Sequence, residues 1–495
     1  MRIVQLANMY HARSGGLRTV VDTLGRGYIA AGHERFLIVP GARPSIAADE
    51  RDGTVITVPG TPVSGGYRMI FRPERVLRIL AALAPDSIEV SDKATLASET
   101  GPWARARGVR AVLFSHERLD AMVANRTGIR TLPRSVERAV GRWNRRVVAG
   151  FDDVVTTSAF GERELTAAGA TGIRRVPLGV DLEVFRPHVG GLAALPPVEA
   201  AAHEFDAARE REHVHTRGKN GSGCCGGGDG KRHDGMNTAA RLRAKAAAAR
   251  AAAQAAANGA QVSAHIRVAG AQPEAAERAA SAAAHTPIRL VYSGRLSTEK
   301  NPRTAVEALR VLRQWGVDAV LDVYGSGPQD ASLKRRAAAL PVTFHGYLGD
   351  RSRLASKLAH ADLVLAPAAC ETFGLSVLEA LACGVAVVAA SSSGAAELVS
   401  PGPGGARPGA GIAVEATACG VAGGVIELLG HPARERAEAA RARASQYPWS
   451  AAVGRMLAIH GGAGDGVYDG EIVARELPAR ASAAPIPAAL LAELD

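Results

Sequence analysis

CETFGLSVLEALACG, residues 370–384, places seven residues between Glu371 and Glu379, the first in a loop after the apolar run DLVLAPA and the second on a helix beginning near Gly374. A short apolar run feeding a helix through a glycine is one turn of a βα alternation. At such a helix start the backbone amides of Gly374, Leu375 and Ser376 have no partner within the helix and lie at its positive dipole end, which suits a diphosphate. Carboxylates beside a diphosphate are repulsive unless they accept hydroxyls, so sugar and ribose hydroxyls are the natural partners of Glu371 and Glu379. An N-terminal capping Glu followed by a solvated helical Glu would leave the same trace.

The alternation continues outward from this stretch. PIRLVYSGR, AVLDVYGSG, PVTFHGYL and VAVVAASSS predict further strands between 287 and 445, with NPRTAVEALRVLRQWG as a helix. Residues 1–187 repeat the pattern with MRIVQLA, RFLIVPG, DGTVITVPG, DSIEVSD, RAVLFSH, DDVVTTS and IRRVPLG as strands and RTVVDTLGRGYIAAG as a helix. The expected fold class is therefore α/β, with two successive parallel-sheet halves covered by helices on both faces. QYPWSAAVGRMLAIH (446–460) predicts a final amphipathic helix anchored by Trp449, and 461–495, rich in Gly, Ala and Pro, a loose tail. Between the halves, 188–286 contains GSGCCGGGDGKRHDG and RLRAKAAAARAAAQAAANGA, with almost no aromatic or branched apolar residues. Such a segment buries too little surface to offset its ordering entropy and is expected to be a disordered insertion, with a transient helix near 239–257.

Several classes of function are disfavoured. The 495 residues are 47% hydrophobic and 22% charged, ordinary for folded globular protein, and an apolar run of the roughly 18–20 residues needed to cross a bilayer is missing. The start MRIVQLANMY lacks a secretory pattern, and five cysteines without framework spacing fit a reducing cytoplasm, the expected location. His213, His215, Cys224, Cys225 and His233 match no zinc-ligand spacing, so no metal site is expected there. ARSGGLRT and GSGPQD lack the dinucleotide fingerprint, and GGGDGKRH is not a phosphate-binding P-loop. The net charge of +11 is concentrated in residues 1–187, with about 27 basic against 19 acidic residues, whereas 287–495 balances at about 20 of each. A solvated basic surface, or contact with an anionic membrane, accounts for that excess, and nucleic acid is not expected as a partner.

Two further elements join the glutamates. In VYSGRLSTEKNP, Arg295 and Lys300 follow a strand, where two cations would clamp a diphosphate, Arg through forked bonds and Lys as a point charge. In the first half Ser14, Gly15 and Gly16 follow strand 1 and open a helix, letting backbone approach a ligand closely; a tight turn without any ligand explains the glycines equally well.

SGGLRTVVDTLG, SGRLSTEK, FHGYL and ETFGLSVLE, in this order and spacing, resemble the retaining GT-B glycosyltransferases of group 1, or family 4, over nearly all of 1–187 and 287–460. MRIVQLANMYHARSGGLRT, FLIVPGAR, SGGYR, EVSDKATL and SHERLD are similar to the actinobacterial GDP-mannose-dependent α-mannosyltransferases that act on phosphatidylinositol mannosides. The resemblance implies two Rossmann-like domains facing across a cleft, 1–187 on the acceptor side and 287–445 on the donor side, with 446–460 packing back on the first. It implies that Gly15 and Gly16 approach the donor diphosphate and that Arg295 and Lys300 hold it. Glu371 would take hydroxyls of the transferred sugar, near the amides of Phe373, Gly374 and Leu375, and Glu379 would take the ribose. His116 would face the sugar and the reaction centre, while Tyr10 and Arg68 would lie where acceptors bind. It implies a nucleotide-sugar donor, a glycolipid acceptor, peripheral contact with the inner face of the plasma membrane, and neither cofactor nor metal. A UDP-sugar with another acceptor, a sugar-nucleotide epimerase or a silent binding protein would share these features. The 188–286 insertion departs from the short interdomain linker of the family.

Overall fold

The computed structural model describes residues 1–11, 15–63, 66–93, 95–120, 134–188, 287–401 and 407–462. The sequence expectations for Ser14, for 189–286 with its histidines and paired cysteines, and for the tail from 463 onward lie outside these residues.

In the first half the strands are β1 (Arg2–Leu6), β2 (Glu34–Gly41), β3 (Ser45–Asp49), β4 (Gly53–Pro59), β5 (Thr61–Pro62), β6 (Arg68–Met69), β7 (Ser87–Val90), β8 (Arg110–Ser115), β9 (Asp153–Thr156) and β10 (Ile173–Arg175). The helices are α1 (Gly16–Ala30), α2 (Glu74–Leu83), α3 (Ala97–Arg105), α4 (Arg134–Val148) and α5 (Ala159–Ala167). One sheet runs β10-β9-β8-β7-β1-β2-β4-β3, parallel except where the exposed edge strand β3 pairs antiparallel with β4, and β5 and β6 form a separate ribbon. The second half contributes β11 (Ile288–Ser293), β12 (Ala319–Tyr324), β13 (Val342–Gly346), β14 (Leu363–Ala366), β15 (Ala386–Ala390) and β16 (Gly411–Val414). Its helices are α6 (Pro302–Gln314), α7 (Asp330–Arg336), α8 (Arg351–Leu358), α9 (Leu375–Ala382), α10 (Ala396–Val399), α11 (Ala418–Leu429), α12 (Ala433–Ala444) and α13 (Trp449–His460). Its sheet, β13-β12-β11-β14-β15-β16, is parallel throughout.

Burial explains the continuous apolar runs. Strands covered on both faces need no polar alternation, and Phe36 to Val39 of β2 and all of β15 are buried accordingly. Each sheet changes winding direction beside its first strand, where β1 lies between β2 and β7 and β11 between β12 and β14. Crevices at such points, beyond the carboxyl ends of the strands, are where open α/β sheets bind ligands. The loops after β1, β11 and β14 carry Gly15 and Gly16, Arg295 and Lys300, and Glu371, so topology alone gathers most of the sequence-predicted donor residues.

A shared core joins the halves. Ile3, Leu24 and Phe114 of the first half belong to the same buried cluster as Phe373, Leu378 and Met456. α13 returns to the first half and lies against α1 so closely that a Cβ on Gly27 would sit 2.4 Å from Val453 Cγ2. Its last residue, His460, is buried between Ser87 Oγ at 2.7 Å and Glu89 Oε2 at 3.2 Å. Among the described residues no helix is long and apolar enough to cross a membrane.

Candidate functional site

Lys300 ends a short 3-10 turn after β11, and its ammonium donates to Glu371 Oε2, which enters from the loop after β14. A cavity there is lined by Gly294, Lys300, Ala366, Glu371 and Ser376. The buried Tyr292 fixes the cationic loop from below, its hydroxyl donating to the carbonyls of Arg295 at 3.1 Å and Lys300 at 3.2 Å. Burial raises the Tyr292 phenol well above its ordinary pKa, so it stays a donor. Gly374 caps α9 with φ +98°, and a Cβ there would lie 2.9 Å from that of Ala395. Only glycine makes this turn without strain, and the helix it opens contributes Ser376 and Val377 of its first turn to the cavity lining. Across the cleft, a Cβ on Gly16 would lie 3.6 Å from Leu375 Cδ1, so the start of α1 stands opposite the start of α9. Phe373 belongs to the core, edge-on to Tyr447, which leaves its backbone as the part available to the site.

The remaining donor candidates have partners that the sequence did not disclose. The Arg295 guanidinium lies over the Tyr67 ring, 5.1 Å from its centroid, with the Tyr67 hydroxyl 3.5 Å from Nη1. Tyr67 in turn packs beside His11 of the same half. Glu379 is buried on α9 and pairs with Arg351 at 3.0 Å, while Arg351 also stacks on Phe185 and reaches Thr19 Oγ1 at 3.5 Å. Burial raises the Glu379 pKa above the usual carboxylate value, and Arg351 opposes that rise. Arg351 was not legible because it is one of several basic residues in DRSRLASK; its role comes from Asp350 capping α8 and aiming the first turn at α9.

His116 follows β8, and its Nδ1 is buried without a hydrogen-bond partner. Its loop is secured from behind: Lys93 Nζ donates to the Glu117 carbonyl and to Glu164 Oε2, each at 2.6 Å, and Glu164 Oε1 accepts from the Asp120 amide at 3.0 Å. Burial lowers the His116 pKa below its ordinary 6.5; Glu117 opposes this and Lys93 adds to it. Below pH 6.5 the unfolded chain therefore takes up a proton that the folded one refuses, so this histidine withdraws stability as the pH falls. The expected result is a His116 imidazole titration by NMR with its midpoint below 6.5; a midpoint above that value would contradict the buried setting.

The two acceptor candidates have hydrogen-bond partners within the first half. The Tyr10 hydroxyl donates to Asp22, with its oxygen 2.8 and 3.0 Å from the two carboxylate oxygens, and burial and then that carboxylate push its pKa up to about 12. Arg68 donates to the Gly60 carbonyl at 2.7 Å, bracing the β5–β6 ribbon.

Comparison with known proteins agrees with this geometry. The Glycosyl transferases group 1 profile matches residues 273–445 and the Glycosyltransferase Family 4 profile matches 14–184. The chain is 35% identical over 467 residues, 93% of its length and 96% of the relative's, to a GDP-mannose-dependent alpha-(1-6)-phosphatidylinositol dimannoside mannosyltransferase of Mycobacterium tuberculosis. A D-inositol 3-phosphate glycosyltransferase of Paenarthrobacter aurescens is 33% identical over 23% of the chain and 30% of that relative. Among solved structures, the sucrose-phosphate synthase of Thermosynechococcus elongatus superposes with a TM-score of 0.60 at 18% identity, covering 93% of this chain and 98% of that one. Anabaena HepE in complex with UDP and glucose superposes with a TM-score of 0.57 at 15% identity, covering 93% and 100%. With both halves matched and the two sheets facing across one cleft, the chain belongs to the group 1, family 4 glycosyltransferases and has the GT-B fold.

Proposed function

We propose that this glycosyltransferase moves mannose from GDP-mannose, with retention of anomeric configuration, to a phosphatidylinositol mannoside-type glycolipid at the inner face of the plasma membrane. The observation that carries the reading is the 35% identity across 93% of the chain to the mycobacterial mannosyltransferase, in which donor and acceptor class are named. The Lys300–Glu371 pair at the sheet crevice supports the donor half of it. Without donor, cation and carboxylate neutralise each other. An arriving diphosphate draws Lys300 and Arg295 to itself and releases Glu371 to accept sugar hydroxyls. Glu379, paired with Arg351 before the donor arrives, exchanges that partner for ribose hydroxyls.

In the transfer, the bond between the anomeric carbon and the diphosphate oxygen breaks as the acceptor hydroxyl bonds to the same face of the sugar. The acceptor proton passes to the departing diphosphate. Arg295, Lys300 and the starts of α1 and α9 supply the positive charge that stabilises the leaving group, so the reading calls for neither divalent ion nor cofactor. His116 faces the sugar as a neutral imidazole.

The exposed Phe71, followed by Arg72 and by the exposed Arg78 on α2, supports membrane contact through the first half. Each basic residue near an anionic surface contributes about 1 kcal/mol. The test measures transfer from GDP-mannose and from UDP-sugars, with and without vesicles containing phosphatidylinositol mannosides, alongside vesicle binding at rising salt. Lipid-dependent mannose transfer with salt-sensitive binding is expected. Turnover only of a UDP-sugar, or only without lipid, would overturn the donor or the acceptor assignment while leaving the family intact.

A further inference from the structure

Thr372, in the loop between β14 and α9, is gripped by the opposite half through both its side chain and its carbonyl. The Thr372 hydroxyl donates to the His116 carbonyl at 2.6 Å, and the Thr372 carbonyl accepts from the Ser158 hydroxyl, with Thr157 Oγ1 3.5 Å from the same oxygen. Ser158 is the N-cap of α5, and its Oγ also accepts from the Gly161 amide at 3.1 Å. Next to this contact, Glu397 of α10 sends its carboxylate across the boundary to the amides of Ala159 at 3.1 Å and Phe160 at 2.9 Å. The first turn of α5 is thus capped by its own serine and by an anion from the other half, a favourable partner for a helix N-terminus. Gly394 leaves room for the approach: a Cβ there would lie 2.0 Å from the Thr372 carbonyl oxygen and 2.8 Å from Ser158 Oγ.

The placement of Thr372 matters for the chemistry. It is the chain neighbour of Glu371, whose carboxylate meets Lys300, and its hydroxyl holds the main chain of His116. One residue therefore links the loop that carries Glu371 in one half to the main chain that carries the imidazole in the other. We propose that Thr372 is a positioning residue for glycosyl transfer, registering the His116 loop against the Glu371 loop when the two halves are together. This rests on the glycosyl-transfer reading above. The β-branch restricts Thr372 to few rotamers, so its hydroxyl reaches the His116 carbonyl with little ordering cost. Thr372 holds no donor group itself, and its removal acts on the alignment of reacting groups rather than on nucleotide affinity. Misplacement by about 1 Å can cost roughly 100-fold in rate.

The test compares Thr372→Val, which keeps the shape and deletes the hydroxyl, with Thr372→Ser, which keeps the hydroxyl, on the full chain. Thr372→Val is expected to lower kcat about 10- to 100-fold with the donor KM nearly unchanged, and Thr372→Ser to restore most of the rate. Small-angle scattering, with GDP or UDP and without nucleotide, is expected to show Thr372→Val more open than wild type and Thr372→Ser as compact as wild type. Wild-type kcat in Thr372→Val overturns the proposal, as does a loss confined to donor KM, a serine variant as impaired as the valine, or unchanged compactness. If wild type turns over no nucleotide sugar, the functional reading fails, and scattering of the nucleotide-free variants still decides the role of Thr372.

Discussion

Replacing Glu371 with alanine is expected to lower transfer by on the order of 100- to 1,000-fold while leaving nucleotide binding intact or tighter. The two effects separate because Glu371 has two relations in the structure. Its carboxylate is the partner of Lys300, so its removal frees an ammonium for the diphosphate. In the proposed reading the carboxylate also accepts sugar hydroxyls, and losing it then costs transition-state stabilisation that the nucleotide does not share. Single-turnover transfer gives the rate, and calorimetry with GDP gives the affinity. Affinity and rate falling together would show that Glu371 only holds the loop. Lys300→Ala is the complement, expected to weaken GDP binding first.

The largest stability effect is expected at the Lys93–Glu164 pair. Both side chains are almost fully buried, at 1% and 3% exposure, and together they satisfy the Glu117 carbonyl and the Asp120 amide. Glu164→Ala leaves an ammonium in the interior without its counter-ion, a change that costs about 3–5 kcal/mol. Urea unfolding of the variant measures this directly, and a loss below about 1 kcal/mol would show that water or another group reaches Lys93. The paired replacement Lys93→Met with Glu164→Leu is expected to recover much of the stability, because no uncompensated charge remains. Activity is not expected to return with it, since the Glu117 carbonyl and the Asp120 amide then lose the partners that hold the loop after His116.

The legible parts of the molecule are those whose causes lie close together in the chain. The strands from MRIVQLA to VAVVAASSS were readable because burial on both faces demands continuous apolar runs, and α9 because Gly374 precedes an apolar helical stretch. β3 was not, since SIAAD is a short edge strand with mostly exposed side chains and depends on antiparallel pairing with β4. β16 and α11 were not readable either: GIAV is only four half-buried residues, and ACGVAGGVIELL carries three glycines, which are poor helix formers. In the site, Glu371, Glu379, Arg295 and Lys300 were visible because each sits at a fixed offset from the end of a strand or the start of a helix. Their partners were not: Tyr67 under Arg295, Arg351 on Glu379, Lys93 behind His116, and Thr372 on the His116 carbonyl.

Residue pattern was therefore enough for two parallel α/β sheets, the crevice they form and the chemical types gathered in it, because periodicity and helix-end chemistry act over a few residues. Which charges pair with each other in the cleft, and how the loops of the two halves are registered, depended on packing. Those contacts join positions such as Ser158 and Thr372, more than two hundred residues apart, and a hydrogen bond of a few ångströms leaves no periodic mark on either sequence neighbourhood.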